Sequence, residues 1–446
     1  MKRLAIAVIA GLVALAAPAV AAPPQSIGNA KFRVEVPSNW NGTLLLYSHG
    51  YYPVGIAPDE TLLANRLYDT PEWLLRNGFA LAASDFEGLH GLAIEPAVRD
   101  QIALLDWFEA NVGKPRRTIA TGTSMGGGIA AQLAERNPGR FQGVLAMCGE
   151  YDPQSTWNTA LDVTFTVKTL LAEGQDIDLV KARNPAASSE ALQQAVLGAQ
   201  DDKGRARIAL AAAIGNIPGW YNPHEPEPTD KIADQAKWIY GAYVWGMGPA
   251  GGREDLERRA GGNPSFNVGV DYRRLLGKSY LRNEVEKAYR AAGLNLDEDL
   301  DKLAKAPRIA PDPQAVAYMY RYTVASGRMP VPIVTLHSTR DGGAVSDQVR
   351  WYADEIDRPD RIKQLYVARG GHCGFSAAEE LTALKTLLHK IDRGHWPDTS
   401  PAKLNIEAGE YGSAYQNVLF LDTFGDKEMA PAFTRFTPPK PLRPSH

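Results

Sequence analysis

Cysteine is scarce in this sequence, with only two in 446 residues. Cys148 and Cys373 lie too far apart for any metal-site spacing, so the sequence predicts no metal centre. Two cysteines can form at most one intramolecular disulfide, and whether they do so depends on the redox state of the compartment.

Charge of one sign is not in excess either, because 48 basic residues stand against 51 acidic ones and the net charge is −3. This balance gives no electrostatic case for a nucleic-acid partner, which a strongly basic chain would indicate. The hydrophobic fraction of 44% is ordinary for a globular protein. The length allows one large domain with an insertion, or two domains, and the oligomeric state stays open.

Long hydrophobic runs are lacking beyond the N-terminus. There, Met1-Lys2-Arg3 precede an apolar run from Leu4 to Ala17, and Ala19-Val20-Ala21 supply the small residues of a cleavage site. A transmembrane anchor is the alternative, but the run falls short of the roughly 20 residues that a span needs. We predict a signal peptide at 1–21, no stable membrane anchor, and a secreted or periplasmic mature protein.

Apolar stretches of strand length alternate with helical patterns in two parts of the chain. The strand-like stretches are 43–48, 79–84, 117–121, 141–147, 331–337 and 362–368. Such alternation is typical of βαβ units, and continuous apolar strands indicate a parallel sheet that is covered on both faces. The sequence therefore predicts an α/β fold with a doubly wound, mostly parallel sheet.

Four regions follow from this pattern. We assign the sheet domain to 22–150 and 329–395, on either side of a region where the alternation stops. That region, 151–328, carries helical patterns and is predicted to be a helical lid insertion. The tail, 396–446, contains several prolines and is predicted to be irregular.

A glycine-flanked serine stands at the end of one predicted strand. Gly122-x-Ser124-x-Gly126 matches the nucleophile-elbow pattern, with a strand before it and a helical pattern after it. The glycines are needed because side chains at these positions would collide with the neighbouring strand and helix. Ser124 is therefore the candidate nucleophile.

A serine hydroxyl needs a base to take its proton and an acid to orient that base. Asp341 and His372 each follow a predicted strand, in the order serine, acid, histidine, and glycines surround His372. We assign His372 as the base and Asp341 as the acid. Glu150 and Asp152, just past the strand that follows the elbow, remain alternatives for the acid.

A second glycine-containing loop, His49-Gly50-Tyr51, follows the predicted strand 43–48. Backbone amides in such a loop can stabilise an oxyanion together with the amide after the nucleophile. We therefore predict an oxyanion hole formed by the N–H groups of Tyr51 and Met125.

With these motifs the chain resembles the serine hydrolases of the α/β-hydrolase fold, over roughly 31–150 and 329–393. The resemblance implies hydrolysis of an ester, thioester or peptide bond without a metal or organic cofactor. A narrower resemblance joins His372-Cys373 to the tannase and feruloyl esterase family, whose cysteine after the histidine bonds to one before the serine. Here Thr123 precedes Ser124.

A disulfide is nevertheless predicted between Cys148 and Cys373. The chain is expected to be secreted, it has no other cysteine, and each cysteine lies just past a predicted sheet strand. In this fold the histidine loop turns back toward the serine, which brings the two positions within reach. Two buried free thiols are the alternative.

Aromatic residues are frequent in the helical insertion. We predict that Trp238, Tyr243 and Trp245 line a pocket for apolar or aromatic groups of the substrate, although they would equally suit the insertion's own core. The predicted partner is therefore a small-molecule ester or peptide.

Three functions stay open at this point. Cleavage of carboxylic esters by a secreted serine hydrolase is the first. A secreted serine peptidase or aminopeptidase is the second, in which Glu225, Glu227 and Asp230 would hold a substrate amine. A non-catalytic binding protein on the same scaffold is the third, because a fold does not fix a function.

Overall fold

The computed structural model describes residues 25–445 except 54, 57, 59 and 66–68. The predicted signal peptide at 1–21 lies outside the described residues. Within them, no helix combines the length and the apolar character that crossing a membrane requires.

A nine-stranded, mostly parallel sheet forms the centre of the fold, in the order β1-β2-β4-β3-β5-β6-β7-β8-β11. The six strands from β3 to β8 run parallel, whereas β1, β2 and β11 pair antiparallel at the two edges. The bounds of all strands are β1 Gln25–Ile27, β2 Ala30–Glu35, β3 Thr43–Ser48, β4 Ala80–Ser84, β5 Arg117–Thr123, β6 Gly143–Met147, β7 Ile333–Arg340, β8 Ile362–Gly370, β9 Asn417–Phe420, β10 Gly425–Glu428 and β11 Phe433–Thr434. The sheet agrees with the predicted fold class.

Helices cover both faces of the sheet and fill the region between β6 and β7. Their bounds are α1 Asp69–Arg76, α2 Ile94–Asn111, α3 Met125–Arg136, α4 Pro153–Leu171, α5 Pro185–Gly198, α6 Asp202–Ile214, α7 Lys231–Trp238, α8 Glu254–Ala260, α9 Tyr272–Lys278, α10 Arg282–Ala291, α11 Leu296–Lys305, α12 Pro313–Tyr322, α13 Asp347–Glu355, α14 Ala377–Arg393 and α15 Pro401–Gly409. Two π-helices, Ile239–Gly246 and Pro249–Arg253, follow α7.

Alternate residues of the strands supply two separate cores. In β3, Leu44 and Leu46 pack with α2, α3 and α13 on one face of the sheet. Leu45 and Tyr47 point the other way and pack with α1 and α14. All six residues of β3 are buried, as expected for a strand covered on both faces.

The helices from α4 to α12, residues 153–322, form what we call the helical segment. It has a buried core of its own, to which Leu161, Ile208 and Leu300 belong. The absence of any sheet strand in this segment explains why the strand–helix alternation stops there.

The tail is not irregular, contrary to the prediction. After α15, strands β9 and β10 form a hairpin, and β11 pairs with β8 at the edge of the central sheet. The prediction was wrong because these strands are two to four residues long and are defined by distant partners, which leave no local periodicity.

The last described residues bind the helical segment. Leu442 is buried in its core, and Arg443 forms an ion pair with the buried Asp162 of α4. The amide of Ser445 donates to Asp152 Oδ2 at 2.8 Å. We call residues 442–445 the C-terminal clasp.

Candidate active site

The ends of the parallel strands place the predicted site residues side by side. Ser48 pairs with Gly122 across β3 and β5, and Thr123 pairs with Met147 across β5 and β6. The loops that follow these three strands therefore begin level with one another at one edge of the sheet. This is the edge at which ligands bind in open α/β sheets.

Ser124 lies in a sharp turn between β5 and α3. Its backbone has φ 59° and ψ −126°, a strained conformation for a residue with a side chain. A Cβ at Gly122 would lie 2.2 Å from the carbonyl oxygen of Gly126, and one at Gly126 would lie 2.0 Å from that of Ser48. The glycines of the motif are thus required by the close approach of β3, β5 and α3.

The structure joins the three predicted residues by hydrogen bonds. Nε2 of His372 lies 2.8 Å from Oγ of Ser124. Nδ1 of the same ring lies 2.9 and 3.0 Å from the two carboxylate oxygens of Asp341. With its Nδ1–H donated to Asp341, the imidazole presents an unprotonated Nε2 to the serine hydroxyl, which is what a general base requires.

Asp341 is fully buried and receives several donors. Its Oδ1 accepts from the amides of Gly343 and Ala344 at 2.8 and 3.0 Å, and its Oδ2 accepts from that of Cys373 at 3.0 Å. Burial raises the pKa of Asp341, but His372 and these donors outweigh burial and hold that pKa below its usual value. Asp341 therefore stays ionised beside the histidine.

The contact with Asp341 also shifts the pKa of His372. Burial lowers the pKa of His372, but the charge of Asp341 and the hydrogen bond to it raise that pKa to a net value above the ordinary one. Its side chain is 20% exposed, so the ring remains accessible from the solvent side.

The alternative acids have other hydrogen-bond partners. Asp152 instead caps α4, where its Oδ1 accepts from the amide of Ser155 at 3.0 Å. Among the described residues Glu150 makes no hydrogen bond to His372, and its Oε1 is buried without a partner. The geometry therefore favours Asp341 as the acid.

The loop after β3 lies against the elbow, as the oxyanion-hole prediction requires. A Cβ at Gly50 would come within 3.2 Å of Cβ of Ser124. Met125 begins α3, so its amide points from a helix N-terminus, where the dipole favours negative charge. His49 is buried between Tyr52 and Phe86, and burial lowers its pKa to about 4.

The predicted pocket aromatics occupy different environments. Trp238 and Tyr243 are buried in the core of the helical segment, whereas Trp245 is 43% exposed. Trp238 packs on Gly342, where an added Cβ would lie 2.5 Å from the indole ring. The hydroxyl of Tyr243 donates to the carbonyl oxygen of Gly342 at 3.3 Å. These two aromatics thus contact the Asp341 loop.

The predicted disulfide between Cys148 and Cys373 is present, with a Cα–Cα distance of 5.4 Å. Cys148 directly follows β6 and Cys373 directly follows His372. The bond therefore ties the loop that carries His372 to the strand next to the elbow.

Sequence reasoning missed two groups that hold these loops. Arg369, at the end of β8, forms a fully buried ion pair with Glu379 of α14 and donates to the carbonyl oxygen of Gly374. The two residues bracket the His372 loop. The hydroxyl of Tyr51 donates to Gly246 at the end of a π-helix, at 3.1 Å. The capping box of Ser376 and Glu379 was the one local signal for the first group.

Comparison with known proteins agrees with this architecture. The family model of the α/β hydrolase fold matches residues 73–235, which include the elbow. The chain is an α/β-hydrolase-fold hydrolase.

One relative of this hydrolase is an o-phthalyl amidase of Xanthobacter agilis, 28% identical over 417 residues. That match covers 84% of this chain and 88% of the amidase, so it includes much of the helical segment. Similar solved structures include feruloyl esterase B from Aspergillus oryzae, at 14% identity and a TM-score of 0.39, over 84% of this chain and 80% of that one. An enol-lactonase from Burkholderia xenovorans is also similar, at 14% identity and a TM-score of 0.36, over 79% and 93%.

Proposed function

We propose that this protein is a serine hydrolase that cleaves carboxylic esters or amides through an acyl-enzyme. Oγ of Ser124 attacks the substrate carbonyl carbon while Nε2 of His372 takes the hydroxyl proton. Asp341 stabilises the imidazolium that forms. The proton then passes to the leaving group, and the same steps with water release the acid.

The amides of Tyr51 and Met125 are the proposed donors to the oxyanion of the tetrahedral intermediate. Loss of a comparable donor elsewhere costs on the order of 3–4 kcal/mol of transition-state stabilisation. The proposal needs no metal or organic cofactor, because the serine supplies the nucleophile and the backbone supplies the electrophilic assistance.

The observation that carries this proposal is the continuous chain of hydrogen bonds from Ser124 through His372 to Asp341. A fluorophosphonate probe is expected to label Ser124. Ser124→Ala is expected to lower kcat for a 4-nitrophenyl ester by about 10⁵- to 10⁶-fold. Ser338→Ala is a matched control, because that hydroxyl is also buried and bonds to nothing among the described residues. Normal turnover by Ser124→Ala would refute the proposal.

Carboxylic esters are the first substrate class, and amides are the second. The amidase relative favours the second, because its similarity extends over most of both chains. An aminopeptidase finds less support, because Glu227 pairs with Arg340 and Lys231, and Asp230 pairs with Arg205. Kinetics on a panel of 4-nitrophenyl esters and 4-nitroanilides separate these substrate classes.

We propose further that the helical segment acts as a lid that sets specificity, and that the mature protein is secreted. Contact of Trp238 and Tyr243 with Gly342 supports the first point. The disulfide is consistent with the second, because such bonds persist in oxidising compartments.

A further inference from the structure

Glu150 is an acid beside the proposed site that the mechanism above does not use. It follows Cys148-Gly149 at the end of β6, and its amide donates to the carbonyl oxygen of Ser124 at 3.3 Å. The residue is therefore bound directly to the elbow.

Glu150 is held next to two elements of the site. It lies two residues after Cys148, whose disulfide to Cys373 holds the loop that carries His372. Its carbonyl oxygen lies against Gly128 of α3, where an added Cβ would be 2.0 Å away. The charge of Glu150 also favours the protonated form of His372, although burial and Asp341 have larger effects on that pKa. Glu150 therefore lies beside both the elbow and the histidine loop.

One oxygen of the Glu150 carboxyl has no hydrogen-bond partner in the described part of the protein. Its Oε1 is buried and bonds to no described group, and no basic side chain of the described residues pairs with it. Burial raises the pKa of Glu150, with Thr156 as a hydrogen-bonding neighbour that opposes the effect. A buried acid without a cationic partner costs stability, and such groups concentrate at functional sites.

An amide substrate would supply the missing partner. When the tetrahedral intermediate of an amide collapses, the lone pair of nitrogen takes the proton from His372, so the N–H bond points elsewhere and needs an acceptor. An ester has an oxygen at this position and carries no hydrogen there. An acceptor beside the leaving group therefore discriminates between the two substrates.

We propose that Glu150 is a specificity-determining residue whose carboxylate accepts the N–H of a scissile amide. This inference rests on the proposed function of Ser124. In the step concerned, the proton on Nε2 of His372 passes to the leaving nitrogen, the C–N bond breaks, and the acyl group stays on Oγ of Ser124. Glu150 holds the N–H throughout and exchanges no proton.

The test compares three derivatives of benzoic acid: the 4-nitroanilide, its N-methyl analogue and the 4-nitrophenyl ester. Glu150→Met keeps the length of the side chain and removes the acceptor. With each enzyme assayed on the plateau of its pH profile, where His372 is unprotonated, we expect the substitution to lower kcat/KM for the anilide at least tenfold and to leave the ester within twofold. The N-methyl anilide has no N–H and is expected to be insensitive to the substitution. Glu150→Gln keeps an acceptor oxygen and is expected to fall between the wild type and Glu150→Met.

Asp347→Asn is the matched control, because Asp347 is a second buried acid, bonded to Asn216. Its anilide-to-ester ratio should equal that of the wild type. An equal loss on anilide and ester in Glu150→Met, no loss on either, or no anilide turnover by the wild type would overturn the inference.

Two further measurements distinguish failure of the Glu150 proposal from failure of the proposed serine-hydrolase function. Failure of a fluorophosphonate to label Ser124 in the wild type would refute the proposed function itself, whereas labelling with an unchanged anilide-to-ester ratio would refute only the role of Glu150. The thermal midpoint of Glu150→Gln is expected to equal or exceed that of the wild type, since the neutral amide avoids the cost of burying an ionisable acid that has no cationic partner. A structural role predicts a lower midpoint.

Discussion

At the scale of single residues, the pKa of His372 is expected to set the pH dependence of the reaction. Its pKa lies above the ordinary value of about 6.5, because the charge of Asp341 outweighs burial. Below that pKa the ring is protonated and cannot accept the proton of Ser124. We therefore expect kcat/KM for an ester to fall as pH decreases through a value above about 6.5.

Asp341→Asn tests the cause of this shift. The substitution removes the charge that raises the pKa of His372, so the acid limb of the pH profile is expected to move to lower pH. The rate at the plateau is expected to fall by about 10⁴-fold, as when the acid is removed from comparable triads. An unchanged acid limb in this variant would show that another group titrates in the wild type.

The three residues linked by hydrogen bonds were predictable because each sits in a local signal. Ser124 lies between glycines, and Asp341 and His372 each follow an apolar strand. The unpartnered Oε1 of Glu150 was not predictable, since it depends on which distant side chains fail to reach it. The contact of Tyr51 with Gly246 spans 195 positions and leaves no pattern in either segment.

At the scale of elements, α7 and the π-helix after it press against the loop that carries Asp341. Gly342 has no room for a side chain there, because a Cβ would lie 2.5 Å from the ring of Trp238. We expect Gly342→Ala to cost about 1–3 kcal/mol of stability by overpacking and to lower kcat by displacing Asp341.

The double variant Gly342→Ala with Trp238→Ala supplies the matching test. Removing the indole creates space for the new methyl group, so kcat of the double variant is expected to exceed that of Gly342→Ala alone. Kinetics and urea unfolding of the wild type and the three variants of the cycle measure this coupling. Simple additivity of the two substitutions would show that the packing contact does not position the acid loop.

The elements themselves were predictable to different degrees. Strands β3, β4 and β6 are nearly continuous apolar runs, and the alternation of strand-like stretches with helical patterns predicts the fold class. Sequence periodicity did not find β11, because a two-residue strand exists only through its pairing with Tyr366 and Val367 of β8. The order of the strands also depends on long-range pairing.

At the scale of the whole molecule, the C-terminal clasp joins residues 442–445 to the helical segment. Arg443 lies against the buried Asp162, and this pair is shielded from solvent. Arg443→Met removes the ion-pair partner of the aspartate, which then keeps only the hydrogen bond from Tyr272 and the more distant charge of Arg308. We expect the substitution to cost about 3–5 kcal/mol of the free energy of unfolding, measured by urea denaturation.

Arg435→Met is the control for this experiment, because Arg435 lies in the same tail and is exposed. Its unfolding free energy is expected to stay within about 0.5 kcal/mol of the wild type. Equal effects of the two substitutions would mean that the clasp contributes nothing beyond a surface charge.

The position of the clasp also sets an order of events during synthesis. Ser124, Asp341 and His372 all leave the ribosome before residues 433–445, which supply the edge strand β11 and the contacts to Asp152 and Asp162. A nascent chain therefore possesses every proposed reacting group while its helical segment still lacks the contacts of the C-terminal clasp. By the same logic, a nonsense mutation between codons 394 and 433 would leave each site motif in the translated protein and yet remove the contacts that hold the helical segment.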